Sequence, residues 1–165
     1  MISGMAWVFG DHISSDAIIP ARFLHQRDSR SWAKVVLADL RPEFASQVGF
    51  GDFIVAGRNF GCGSSREQAP LAIKTAGVAA VIAHSFSRMF YRNAFNMGLA
   101  VFTCPEAAVR VHDGDRLRLD PYSGLIEDVE QQISFQAQPV DPYLTDLVSQ
   151  GGLLKKIRKQ ITGHG

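Results

Sequence analysis

The stretch Asn59-Phe60-Gly61-Cys62-Gly63-Ser64-Ser65-Arg66-Glu67 connects an apolar strand pattern to a helical pattern. The residues just before it, Phe53-Ile54-Val55-Ala56, predict a buried strand, and apolar residues at helical spacing follow it up to Ala76. Glycine at positions 61 and 63 lets the backbone turn sharply and lets a ligand approach it closely. We therefore predict an elbow between a strand and a helix, with two adjacent hydroxyls displayed on it.

The chemistry of this elbow allows three interpretations. Ser64 and Glu67 have the spacing of a capping box, which predicts a helix that begins with Ser64 as its cap. A helix N-terminus also attracts anions, and Arg66 adds a planar fork suited to a carboxylate. Backbone donors and a nearby cation in a water-poor site would instead let Ser64 act as a base. Neither the serine-hydrolase elbow nor the phosphate-binding P-loop matches these residues.

Strand, helix and strand patterns repeat along the middle of the chain. After the elbow helix, which Gly77 is placed to end, residues 78–83 form a continuous apolar run typical of a strand buried on both faces. Ser85 is predicted to cap the next helix, Gly98 to close it, and residues 99–102 to form another strand. This alternation predicts an α/β fold with a partly parallel sheet flanked by helices.

The two ends of the chain differ from this middle part. Residues 5–9 are predicted to form a first strand, and residues 116–119 and 133–135 alternate in the manner of antiparallel strands. Residues 141–161 predict a final helical region that Gly151-Gly152 interrupts. The sequence shows no repeat or low-complexity linker, so we expect a single domain over residues 1–165.

Composition limits the classes of partner. The 165 residues are 46% hydrophobic, which suits a globular domain with a substantial core. Seventeen basic and sixteen acidic side chains leave a net charge of +1, which argues against nucleic acid as a partner. The sequence has neither a signal segment nor an apolar run long enough to span a bilayer, so we expect a soluble, cytoplasmic protein without a membrane partner.

Cysteines and histidines give no sign of a metal site in this chain. Cys62 and Cys104 form neither a disulfide framework nor a metal-ligand spacing, which fits a reduced compartment. The histidines lack the spacing of a zinc site, and single histidines are usually structural. Cys62 is more simply a small buried residue than a nucleophile, although its place in the elbow keeps it of interest.

Two long motifs, the elbow 59–67 and Ser85-Phe86-Ser87-Arg88-Met89-Phe90-Tyr91-Arg92-Asn93, occur in the order typical of one family, and residues 11–20 match its early loop. The chain resembles the small subunits of isopropylmalate isomerase and homoaconitase and the swivelling domain of aconitase. The resemblance covers at least residues 10–102. It implies a swivelling β/β/α domain that works only with a large subunit, which carries a 4Fe–4S cluster.

The resemblance also implies the reaction and the residues that serve it. The reaction moves a hydroxyl between adjacent carbons of a malate-type acid by dehydration and rehydration. Carried over by position, Ser64 is the catalytic base, Ser65 and Arg66 hold a substrate carboxylate, and Asp16 belongs to the supporting shell. The elbow residues Gly61, Gly63 and Glu67 are also expected to support the site. No metal ligand is expected in this chain.

The substrate depends on the loop Phe23-Leu24-His25-Gln26-Arg27. In the family an arginine at the deciding position favours an extra carboxylate, as in homoaconitase, and apolar groups favour the isopropyl substrate. Here His25 and Gln26 occupy the deciding positions and Arg27 lies just beyond, so we expect these three side chains to contact substrate.

These residues match neither family pattern cleanly. The expected substrate is 3-isopropylmalate, in leucine biosynthesis, with homocitrate-type acids, citramalate and dimethylmalate as alternatives. A function of another class, a noncatalytic carboxylate-binding or assembly module, also stays open.

Overall fold

In this computed structural model, residues 1–64 and 66–163 are described. Within these ranges seven strands form one sheet: β1 (Ile2–Val8), β2 (Phe53–Ala56), β3 (Ala80–Ala83), β4 (Ala100–Thr103), β5 (Arg116–Leu119), β6 (Leu125–Asp128) and β7 (Ile133–Gln136). The strand order is β4-β3-β2-β1-β5-β6-β7. The helices are α1 (Ser15–Ile18), α2 (Ser29–Ala33), α3 (Phe44–Gln47), α4 (Gln68–Thr75), α5 (Arg88–Met97), α6 (Pro105–Arg110), α7 (Pro142–Ser149) and α8 (Leu153–Thr162), with a 3₁₀ turn at Ala21–Phe23.

The strand β1 joins a parallel half of the sheet to an antiparallel half. Its second part pairs in parallel with β2, with Ala6 opposite Phe53, and β2, β3 and β4 continue in parallel. Its first part pairs antiparallel with β5, with Ile2 opposite Leu119, and β6 and β7 follow as a meander. The Gln138 amide donates to the Thr103 carbonyl at 2.9 Å, so the curled sheet brings its two ends together.

Both faces of the parallel half are buried, which explains its continuous apolar runs. Every residue of β2 and β3 is buried. One face carries Ile54 and Val81 and packs beneath helices that include α4 and α5, while the other carries Phe53 and Ile82 and packs against the antiparallel strands. None of the described helices is long and apolar enough to cross a membrane.

The predicted fold class is confirmed, because this mixed sheet has a parallel half, an antiparallel half and flanking helices. Gly77 and Gly98 follow α4 and α5 with positive φ, as the sequence predicts. A single domain over residues 1–165 stays a prediction.

Two predicted helix starts are wrong. The elbow helix begins at Gln68, with Glu67 at the N-cap position and no side-chain cap, so Ser64 and Glu67 form no capping box. The reason is Pro70, which fits the first turn of a helix but would break a helix that began at Ser64. The next helix is capped by Ser87 rather than Ser85, because the Ser87 hydroxyl accepts the Phe90 N–H.

Candidate active site at the carboxyl edge of the parallel strands

Three loops meet at the carboxyl edge of the parallel strands. They follow β1, β2 and β3, and the loop after β2 contains the elbow, residues 59–67. Isolated parallel bridges join Ser14 to Cys62 and Phe60 to Phe86, so the elbow lies between the other two loops. Ligands of open α/β sheets commonly bind beyond this edge.

Backbone hydrogen bonds hold the elbow to the loop after β1. The Gly61 N–H donates to the Ile13 carbonyl at 2.7 Å, and the Ser15 N–H donates to the Cys62 carbonyl at 2.9 Å. Gly61 has a φ of +81°, and a Cβ there would overlap the Phe90 ring. Only glycine therefore fits this position without displacing α5.

The side chains of Ser64, Asp16 and Arg66 form one polar cluster on this scaffold. The Ser64 hydroxyl donates to Asp16 Oδ1 at 3.0 Å, and an Arg66 terminal nitrogen lies 2.8 Å from the same oxygen. The other terminal nitrogen of Arg66 donates to the Ile19 carbonyl at 2.9 Å. The structure thus brings together three of the predicted site residues and links them to the segment that follows α1.

Exposure divides the roles within this cluster. Ser64 is exposed, whereas the Arg66 side chain retains 19% of its accessible surface. Asp16 and Ile19 fix the orientation of the guanidinium but occupy only part of its five-donor edge, so N–H groups remain for an anion. The cluster can therefore bind a carboxylate beside a hydroxyl whose proton has an acceptor in Asp16.

Comparisons with known proteins show the family of the chain. The family described as "Aconitase C-terminal domain" matches residues 16–107, which is more than half of the chain. The chain belongs to the aconitase C-terminal domain family. Within this family it is 46% identical over 161 residues to a 3-isopropylmalate dehydratase small subunit of Thermodesulfovibrio yellowstonii, covering 98% of this chain and 96% of that protein.

Two further relatives of the aconitase C-terminal domain family cover nearly the whole chain. The 2,3-dimethylmalate dehydratase small subunit of Eubacterium barkeri is 47% identical over 154 residues, with 93% of this chain and 94% of that protein covered. The crystal structure of a 3-isopropylmalate dehydratase from Methanocaldococcus jannaschii superposes with a TM-score of 0.90 at 40% identity, covering 98% and 97% of the two chains. The chain is thus a small-subunit type member of the aconitase C-terminal domain family.

The remaining predicted site residues lie apart from the polar cluster or outside the described residues. Ser65 is outside them. Glu67 is exposed at the start of α4. Gly63 is exposed and has a φ of +84°. It precedes Ser64 directly, so its turn sets the path of the backbone into Ser64.

The loop predicted to select the substrate makes mostly local contacts. His25 Nδ1 lies 2.9 Å from the Arg22 carbonyl, and Arg27 is exposed. The Gln26 Oε1 atom is buried and has no hydrogen-bond partner among residues 1–64 and 66–163. Within those residues, no hydrogen bond or ion pair joins positions 25–27 to Ser64. The loop connects to the cluster through the chain that runs back to Ile19.

The two cysteines of this chain are too few to hold a 4Fe–4S cluster, which is usually bound by four thiolates. Burial also raises the pKa of the Cys104 thiol, which disfavours the thiolate that binds metal. Among the residues with described side chains, one group has the spacing of a metal site, Asp115, Asp128 and Glu130, and it contains no thiol. The residues of this chain do not fit a 4Fe–4S cluster.

An apolar cavity of about 220 Å³ lies at the opposite, amino edge of the parallel strands. It is lined by Ile2 and Ala100, the first residues of β1 and β4, and by Ala79, which precedes β3. The polar cluster with exposed Ser64 is instead open to the surface. The described residues alone therefore form no water-poor site around Ser64.

Proposed function

We propose that this chain is the small subunit of a two-chain hydro-lyase that isomerises a malate-type hydroxy acid, with 3-isopropylmalate in leucine biosynthesis as the first candidate. The observation that carries the proposal is the cluster of Ser64, Asp16 and Arg66 on the exposed carboxyl edge. The names of full-length relatives support the substrate. Its free cysteines suit the cytoplasm, where such a pathway enzyme would work.

Ser64 is the proposed base that removes a proton from substrate carbon. A serine hydroxyl is a weak base, so the reaction needs Ser64 Oγ to lose its proton and the resulting alkoxide to be stabilised. Asp16 Oδ1, at 3.0 Å, is placed to accept that proton. The Arg66 guanidinium, bonded to the same carboxylate, supplies positive charge beside the oxygen.

Arg66 is the proposed carboxylate ligand, together with Ser65. The anchoring of Arg66 by Ile19 and Asp16 orients its planar fork before substrate arrives, which reduces the entropy lost on binding. Gly61 and Gly63 support this site by giving the elbow its turns. Glu67 directly precedes α4, and we assign it only a structural role, at the junction of the elbow and the helix.

The partner in this proposal is a large subunit that carries the 4Fe–4S cluster. The cluster would supply the Lewis acid for the hydroxyl group, whereas this chain supplies the proton chemistry and part of the carboxylate binding. Two observations support the division: the thiols of this chain do not fit the cluster, and Ser64 lies on an uncovered surface. Relatives named small subunits agree with it.

The substrate side group is proposed to contact His25, Gln26 and Arg27. Sequence identity does not choose the acid, because a 2,3-dimethylmalate relative at 47% lies between 3-isopropylmalate relatives at 46% and 48%. The buried acceptor of Gln26 is open to a donor from outside the described residues. Arg27 taken alone would favour an acid with a further carboxylate, so the choice of 3-isopropylmalate rests on the names of the relatives.

Reconstitution with an iron–sulfur large subunit under anaerobic conditions tests the proposal. The panel contains 3-isopropylmalate, homocitrate, citramalate and 2,3-dimethylmalate, and the unsaturated acid intermediate is followed by its absorbance. We expect turnover of 3-isopropylmalate above the other acids. Absence of turnover on every acid, with an intact cluster, would contradict the hydro-lyase function. A higher turnover on another acid would change only the substrate.

Calorimetry on the isolated chain tests the noncatalytic alternative. A carboxylate-binding module is expected to bind a dicarboxylate without the large subunit, whereas half of an active site is expected to bind it weakly. Titration of the isolated chain with malate-type acids should therefore give no measurable heat at millimolar concentration. Tight binding without turnover in the complex would support the noncatalytic function.

A further inference from the structure

The buried carbonyl of Gly61 accepts hydrogen bonds from two serine hydroxyls. The Ser87 Oγ atom donates to it at 2.8 Å and the Ser15 Oγ atom at 3.3 Å. Ser15 lies 46 residues before Gly61 in the chain and Ser87 lies 26 residues after it, so the two hydroxyls come from different loops. Ser15 is 1% exposed, which makes this hydroxyl part of the interior.

This carbonyl lies at the root of the exposed segment that carries Ser64. Gly61 is already held by its N–H bond to Ile13, and its neighbour Cys62 accepts the N–H of Ser15. Only Cys62 and Gly63 separate Gly61 from Ser64, and Gly63 is exposed and has no side chain to anchor it. The direction in which Ser64 points therefore depends on how firmly the Gly61 peptide is fixed.

We propose that Ser15 and Ser87 are positioning residues that jointly hold the Gly61 carbonyl and so orient Ser64 for proton transfer. The inference rests on the proposed function. A carbonyl oxygen has two acceptor sites, and a buried carbonyl is costly only when it has no donor at all. Either hydroxyl should therefore suffice, and the loss of both should free the peptide.

The positioning of Arg66 does not depend on this carbonyl. Its guanidinium is held by the Ile19 carbonyl and by Asp16, at 2.9 and 2.8 Å. Loss of both hydroxyls should consequently lower kcat, which depends on Ser64, and leave KM within about threefold, because Arg66 still binds carboxylate. Misplacement of a reacting group by about 1 Å can cost about 100-fold in rate.

The simpler alternative is that both hydroxyls serve only stability. Ser87 also accepts the Phe90 N–H and so caps α5. A matched cap for comparison is Asp141, which accepts the Tyr143 N–H at the start of α7. The variant Asp141→Ala loses a helix cap outside the polar cluster, and it should lower the melting temperature as Ser87→Ala does without changing kcat.

The experiment is a double-mutant cycle in the reconstituted complex, with Ser15→Ala, Ser87→Ala, the double variant, Ser15→Thr and Asp141→Ala. We expect each single serine variant to retain kcat within about threefold and the double variant to lose about 30-fold or more, well beyond the product of the singles. Ser15→Thr combined with Ser87→Ala keeps one hydroxyl and should therefore retain the kcat that the double alanine variant loses. Single losses that multiply to the double loss, or failure of this rescue, would overturn the proposal.

A second measurement on the isolated chain is independent of turnover. Amide hydrogen exchange of Gly61 and Cys62 should accelerate at least tenfold more in the double variant than in either single variant, while the β2 amides keep their protection. Unchanged exchange at the elbow would overturn the positioning role even in an active complex. Faster elbow exchange in a chain whose complex turns over no acid would support the positioning and contradict only the proposed function.

Discussion

The elbow and the carboxylate cluster of the antiparallel half both collect polar groups near strand ends, but they satisfy them differently. At the elbow the Ser64 hydroxyl is exposed, and its acceptor Asp16 is 59% exposed in its side chain. In the other cluster, Asp115 and Asp128 are buried at 8% and 1%. One site faces solvent, and the other is part of the interior.

The buried carboxylates of Asp115 and Asp128 accept hydrogen bonds from N–H groups of the chain itself. Asp115 accepts the His112 N–H at 2.9 Å, and Asp128 accepts the Gln131 N–H at 3.0 Å. The side-chain amide of Gln131 donates to both carboxylates, at 3.0 and 2.9 Å. These hydrogen bonds connect the turns around β5 and β6, so the role of the cluster is structural.

The exposed cluster and the buried cluster differ in where their donors and acceptors come from. The buried cluster has its donors and acceptors matched within one stretch of chain, at sequence separations of 3 to 16 residues. The elbow draws on distant segments, and it leaves Ser64 and part of the Arg66 fork available to an outside molecule. Variants at the two places should therefore separate activity from stability.

The largest effect is expected for Ser64→Ala in the reconstituted complex. If Ser64 is the proposed base, its loss should lower kcat by about 1,000-fold or more, which corresponds to about 4 kcal/mol of transition-state stabilisation. Stability should change by less than about 0.5 kcal/mol, because Ser64 is exposed and caps no helix. Urea unfolding and turnover of the same preparation measure both.

The matched control for that variant is Ser134→Ala, an exposed serine on β7. It should leave both turnover and stability unchanged. Turnover by the Ser64 variant within about tenfold of the unmodified complex would remove Ser64 from the role of base.

The next largest effect is expected for Gly61→Ala, and it is a loss of stability. The alanine would have to adopt a positive φ and its Cβ would overlap the Phe90 ring. These costs together should lower the free energy of unfolding by about 3 kcal/mol.

The control Gly114→Ala isolates the backbone part of that cost. Gly114 has a φ of +88°, but a Cβ there meets no atom within 4 Å. It should lose only about 1 kcal/mol. Equal losses in the two variants would mean that Phe90 moves aside freely and that the close packing of the elbow on α5 is not needed.

The sequence predicts the parallel half of the fold well because its signals are local. Apolar runs at β2 and β3 and glycines at 77 and 98 mark strands buried on both faces and helix ends. The error at the start of α4 is also local, since Pro70 limits where that helix can begin. The position of Pro70 is itself part of the sequence, and it is incompatible with a helix that begins at Ser64.

The contacts that organise the site could not be predicted in this way. The hydroxyl of Ser15 reaches Gly61 across 46 residues, and the carboxylate of Asp16 accepts the Ser64 hydroxyl across 48, and no periodicity in sequence reports such distances. Burial of Asp115 and Asp128 likewise depends on the curl of the sheet. The motifs identify Ser64 and Arg66 as candidates, but only the fold shows that Asp16 joins them.

A smaller effect is expected for Arg66→Lys. Lysine keeps the positive charge but loses the planar fork that can bind Ile19, Asp16 and a substrate carboxylate together. We expect kcat/KM to fall about 30-fold, mainly through a higher KM, as measured in steady-state assays of the complex.

The control Arg110→Lys changes an arginine that pairs with Glu106 on the surface of α6, where the exchange should have no effect on turnover. A fall in kcat at constant KM in the Arg66 variant would show instead that Arg66 acts on Ser64 rather than on the carboxylate.

The smallest effect is expected in the buried cluster, for Asp128→Asn. Burial, together with the neighbouring Asp115 carboxylate, raises the pKa of Asp128. The folded chain therefore holds this proton more tightly than the unfolded chain, so its stabilising contribution is complete below the unfolded pKa and is lost as pH rises through the folded pKa. Asparagine imitates the protonated form, so the free energy of unfolding of the variant should rise by on the order of 1 kcal/mol at pH 7 and change little near pH 4.

Urea unfolding across this range measures the difference. The control Asp120→Asn should show the opposite trend, because the Tyr122 N–H lowers the pKa of Asp120. A gain for Asp128→Asn that does not depend on pH would contradict the charge argument and assign the effect to packing.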